Sequence, residues 1–113
     1  MATFISLAVS ATMFPPMGTI EMRPLGASEV EIFVRDGNLV SALNPSHAST
    51  IEVIRRKFDL ALPIPEKAPK VSLVKGDSVI IIQANLPRLQ EGEVHSDEVV
   101  ANAPISFRLW TVL

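Results

Sequence analysis

A chain of 113 residues with 10 Lys and Arg against 12 Asp and Glu carries a net charge of −2, and its apolar share of 48% suits one globular domain with one core. The basic residues form no block longer than 'RRK' at 55–57, so the stripe that tracks long nucleic acid is missing. No apolar run reaches the length of a membrane span, and the lack of Cys removes disulfide and thiolate chemistry, in keeping with a cytoplasmic protein.

The opening 'MATFISLAVSATMF' lacks the basic start of a secretory leader, and the alternation in 'TFISLAV' (3–9) predicts a buried first strand. Pro15 and Pro16 forbid a long helix directly after it. 'TIEMRPL' (19–25) alternates as a second strand. Over 28–35 two signals conflict. Ser28 followed by Glu31 is a capping-box pattern and argues for a helix. The β-branched and aromatic 'VEIFV', with the turn 'DGN' after it, argues for a strand.

Residues 47–58 have the clearest helical spacing, with Ile51, Ile54 and Phe58 on one face and Ser46 as the expected N-cap. 'LPIPEKAP' (62–69) reads as a loop. 'KVSLV' (70–74) and 'SVIIIQA' (78–84) read as strands around the tight 'KGD' turn, the second buried on both faces. Ser96, Asp97 and Glu98 open a short helix that must stop near Pro104, and 'ISFRLWTV' (105–112) is a closing strand. Strands interleaved with helices predict an α/β or α+β layer with one mixed sheet.

Chemistry is sparse. The two histidines, His47 and His95, have no ligand spacing, so neither a zinc site nor any other metal or cofactor site is expected. 'GDSV' and 'PLGAS' are turns and not phosphate loops. In 'NPSHAST' (44–50), His47 falls in helical register with Ile51 and Ile54, along the buried stripe. One reading is a core-edge histidine bonded to a carbonyl; the other is a general acid at a helix N-terminus, where amides and hydroxyls favour an anion. 'PRLQEGE' (87–93) follows the most apolar strand, where function often gathers. Its Arg88 and Glu91 read as a solvated ion pair or as a phosphate-binding pair. His95 reads as a surface residue.

Four segments fall in the order and spacing of one family: 'AVSATM' (8–13), 'SAL' with 'SHAST' (41–50), 'KVSLVKGDSVIIIQ' (70–83) and 'RLQEGEVHSDE' (88–98). They resemble the small viral anti-CRISPR ring nucleases, which degrade cyclic tetra-adenylate, the second messenger of type III CRISPR defence. The likeness runs over nearly the whole chain, and its most specific part is H-x-S-T joined to R-L-x-E-G. It implies one α/β domain over 1–113, a mixed sheet flanked by helices, a helix at 28–35 and a homodimer. It also implies metal-independent cleavage of cyclic tetra-adenylate, with no cofactor, no membrane and no long nucleic acid as partner.

Residue by residue, the resemblance implies that His47 is the general acid, that Glu91 lines the active site with it, and that Arg88 holds a phosphate. Ser10, Ser49, Thr50, Lys70 and Gln83 become ligand contacts, with Lys70 where an arginine is more usual. Three departures stand out. Leu7 takes an Asn place, 'SALNPSH' is about two residues longer than the usual run, and one more residue separates Gln83 from Arg88. Leu7 and the longer loop leave open a module that binds or sequesters a cyclic oligonucleotide without cutting it. An interaction protein on the same fold is a third reading.

Overall fold

The computed structural model describes residues 2–87, 89 and 93–113. In chain order the elements are β1 (Thr3–Ser6), β2 (Ile20–Leu25), α1 (Ala27–Arg35), β3 (Leu39–Ser41), α2 (Ala48–Phe58), β4 (Ser78–Ala84), α3 (Asp97–Asn102) and β5 (Ile105–Val112). Short 3-10 turns at Ala11–Met13 and Pro45–His47 precede β2 and α2. Among the described residues the strands make one sheet in the order β2-β5-β4-β1-β3. β1 is parallel to β3 and β4, while β5 is antiparallel to β4 and β2. This is the expected α/β domain with a mixed sheet.

The two faces of the sheet are covered differently. Ile5, Ile80, Ile82 and Phe107 face the helices and pack with Val30 of α1 and with Ile51 and Ile54 of α2. Most of these side chains are wholly buried, and each such burial contributes about 1.5–3 kcal/mol. The opposite face carries Phe4, Val79, Ile81, Arg108 and Trp110 in register. It is covered by Met13 of the first 3-10 turn and by Val71 and Leu73, not by a helix. A third, smaller cluster of Val53, Val100 and Ala103 holds α3 against α2. No helix among the described residues is long and apolar enough to cross a membrane.

Several local expectations are corrected. β1 stops at Ser6 rather than residue 9, because the Ser6 hydroxyl donates to the Ala8 carbonyl (2.9 Å) and accepts from the Ala8 amide (3.2 Å), which bends the chain. The segment 70–74 is not a strand. It crosses the open face of the sheet instead of joining its ladder, with the Leu73 amide donating to the Met13 carbonyl at 2.6 Å. The conflict over 28–35 resolves as a helix. Its cap is not the Ser28–Glu31 pair; the Gly26 amide donates to Glu29 Oε1 at 3.1 Å. Ser46 does not cap α2 either: the cap position is His47, without a side-chain capping bond. It is the 3-10 turn before it that is capped, by Asn44 Oδ1 accepting from the Ser46 amide at 2.9 Å. The short edge strand β3 was not among the predicted strands.

Candidate functional site

Parallel strands place their carboxyl ends, and the helix that follows β3, on one side of the sheet. β1 has parallel β3 on one flank and parallel β4 on the other, and the chain passes from β3 through α2 to β4 across it, a switch point of the kind at which α/β sheets open a crevice. A cleft of about 340 Å³ lies there, lined by Leu7 after β1, His47 and Thr50 at the start of α2, Ile81 and Gln83 of β4, and Arg108 and Trp110 of β5, among others. A smaller hollow of about 140 Å³ opens on the other side of His47, against Ser6, Ala42 and Asn44.

His47 is exposed, against the expectation that it follows the buried stripe of its helix. The α-helix begins only at Ala48, and His47 ends the tighter 3-10 turn before it with φ −99° and ψ 22°. Carrying a 3.6-residue period back through that turn misplaces the side chain. Its imidazole makes no capping hydrogen bond and is free to meet a ligand in the cleft. Thr50, one turn along, is half-buried in the same wall, and Gln83 reaches the cleft from the end of β4.

The remaining candidates divide. Ser10 is exposed outside the cleft lining; it caps the first 3-10 turn, and its hydroxyl lies 2.9 Å from that of Thr12. Ser49 faces a different crevice, with Glu52, Val53 and His95. Lys70 is exposed and outside the lining. Arg88 and Glu91 lie outside the described residues. His95 is buried, not a surface residue, with 6% of its area exposed. Its carbonyl accepts from Arg56 Nη1 (2.7 Å), and its Nδ1 has no partner among the described residues.

Two cleft residues went unnoticed in the sequence. Arg108 and Trp110 stand in 'ISFRLWTV', where period-2 alternation puts both on one face, and a lone cation in an apolar strand was the signal to follow. The described lining contains no Asp or Glu, so Arg108 and the dipole of α2 leave the cleft with a positive field. The 'RRK' block, by contrast, is occupied internally: Arg55 pairs with Glu52, Arg56 with Asp97, and Lys57 Nζ donates to the Ala101 carbonyl at 2.7 Å. No group of three His, Asp, Glu or Cys side chains converges as a metal site among the described residues.

A family model described as STIV B116-like matches residues 5–109, a span that contains every cleft residue from Leu7 to Arg108. The chain belongs to the STIV B116-like family. Among solved structures, B116 of Sulfolobus turreted icosahedral virus is similar with a TM-score of 0.75 and 27% identity, over 97% of this chain and 98% of that one. No curated protein sequence matches. The STIV B116-like family thus takes its name from a viral protein, and the matched span 5–109 reaches all five strands together with the helix at 27–35.

Proposed function

We propose that this protein is a metal-independent ring nuclease that opens cyclic tetra-adenylate into linear di-adenylates ending in 2′,3′-cyclic phosphates, so silencing type III CRISPR signalling. The observation that carries the reading is a cleft with an exposed histidine and an arginine but no carboxylate among its described residues, at the switch point of the sheet. A site of that kind suits a phosphodiester. The sequence resemblance to ring nucleases supplies the specific substrate.

The chemistry follows from what an RNA linkage brings with it. The ribose 2′-oxygen attacks the adjacent phosphorus, a P–O2′ bond forms, and the P–O5′ bond breaks. The 2′-hydroxyl gives up its proton, with Glu91 the candidate to receive it, and the departing 5′-oxygen takes one from His47. Holding the 2′-oxygen in line with the leaving oxygen removes the entropic part of the barrier. Cationic groups offset charge gathering on the phosphoryl oxygens. A positioned proton donor is worth about 10²–10⁴-fold in rate. Histidine suits that role because its proton exchanges near neutral pH.

One observation favours a second reading, a module that binds the ring without cutting it. Leu7 lines the cleft beside His47, where ring nucleases carry an amide side chain that can orient a phosphate or ribose. Incubation with cyclic tetra-adenylate, with and without excess chelator, followed by product analysis separates the readings. The nuclease yields cyclic-phosphate dinucleotides at equal rates in both. Intact ring that co-elutes with the protein supports the binding module. Cleavage abolished by chelator and restored by manganese or magnesium overturns the 2′-hydroxyl mechanism.

A further inference from the structure

Three of the five described arginines have carboxylate partners, Arg23 with Glu29, Arg55 with Glu52 and Arg56 with Asp97. Arg35 and Arg108 have none among the described residues, and of these two only Arg108 lines the cleft. Arg108 differs. It sits in mid-strand on β5, level with Ile81 of β4 and Pro24 of β2, on the sheet face that no helix covers. Its one polar contact among the described residues is from Nη1 to the Met22 thioether at 3.9 Å, and sulfur is a weak acceptor. The guanidinium has five donors, so nearly all its hydrogen-bonding capacity is unused. It lines the same cleft as His47, with Ile81 and Trp110 as apolar neighbours.

We infer that Arg108 is a phosphate-binding residue of this site, gripping a phosphate of the ring from the sheet wall while His47 acts from the helix wall. The inference rests on the nucleotide reading above. A planar fork with unused donors matches two phosphoryl oxygens at once, which a lysine cannot do. Arg108 is exposed at the cleft, within reach of a ligand, and no described acid in the lining competes for it. Because the contact exists before reaction and during it, Arg108 contributes to binding more than to the chemical step. Arg108 would then hold phosphate in addition to Arg88, whose role the resemblance implies.

The test uses His47→Ala protein, so that the ring stays whole, and measures binding of cyclic tetra-adenylate by calorimetry. A second readout is the emission of Trp110, the one tryptophan of the chain and a lining residue of the cleft. Adding Arg108→Gln should weaken binding about ten- to a hundredfold, as loss of a charged hydrogen bond does. It should also flatten the dependence of affinity on salt by about one phosphate contact. Arg108→Lys should recover part of the affinity, since it restores charge without the fork. In the His47-intact protein, Arg108→Gln should raise KM far more than it lowers kcat.

Equal affinity and equal salt dependence in Arg108→Gln would overturn the inference while leaving the nuclease reading in place. Weakening that Arg108→Lys does not relieve, or that tracks a lowered melting temperature in both variants, would also overturn it by showing a structural role. Failure of the His47→Ala protein to bind the ring, with Arg108 intact, would remove the nucleotide reading and this inference together.

Discussion

His47 is exposed, makes no capping hydrogen bond, and lines a cleft. Removing its imidazole therefore takes away no core packing, and an exposed change of this kind falls within about 0.5 kcal/mol of neutral. His47→Ala should melt like the parent and bind cyclic tetra-adenylate about as tightly. It should cleave the ring slower by roughly 10²-fold or more, since the proton is delivered only in the transition state. A melting scan, a binding isotherm and a single-turnover rate on one preparation decide it; unchanged cleavage by folded His47→Ala would end the catalytic role. The other histidine has the opposite character. His95 is buried beside Val53 and Arg56, where a substitution should lower stability whatever it does to activity.

At the level of elements, the turn between the 70–74 segment and β4 shows how one carboxylate joins distant parts of the chain. Asp77 Oδ2 accepts from the Val74 amide at 3.0 Å, and Oδ1 accepts from the Ala2 amide at 2.9 Å. Gly76, with φ 93°, takes the left-handed corner of this turn that a side chain would strain. The Val74 and Ala2 amides hold the Asp77 carboxyl below its usual value of 3.8. A lowered folded value means that this stabilisation is whole above the ordinary aspartate range and is lost as pH falls through the folded value. Asp77→Ala should cost about 1.5–3 kcal/mol near neutral pH. Urea titrations between neutrality and pH 3 should show the parent losing stability on acidification more steeply than the variant. Parallel curves would mean that the two amide bonds carry no net weight.

For the whole molecule, the cleft of about 340 Å³ is near the lower end of small-ligand sites, roughly 300–1,000 Å³. A ring of four nucleotides is larger than one such cleft, and it is itself symmetric. We therefore expect a homodimer whose two-fold axis runs through the ligand and sets one His47 at each of two opposed phosphates. Sedimentation at micromolar concentration should return twice the chain mass of 12.3 kDa. A monomer that still cleaves the ring would contradict the arrangement. Strand β5 enters this picture directly, because the exposed Arg108 and its half-buried neighbour Trp110 both line the cleft.

Much of this was legible in local sequence. Strand alternation placed β2, β4 and β5 within a residue or so, and Ser96 with Pro104 bounded α3, because caps and prolines act over a few residues. For the helix at 27–35 the local signals conflicted, and the family resemblance tipped the reading to helix. Its β-branched residues favour a strand, but Val30, Phe33 and Val34 fall on one helical face against the core, and that packing outweighs propensity. Tertiary structure alone decided the rest. 'KVSLV' has the composition of a strand, yet the neighbouring ladder positions are taken by β5 and β1, so Val71 and Leu73 lie across the sheet face instead. Which histidine meets water depended on where a 3-10 turn gives way to α-helix and on how α3 closes over α2. Arg108 joined His47 only because β5 lies beside β4 in the sheet: 61 residues of chain separate two side chains that one cleft brings together.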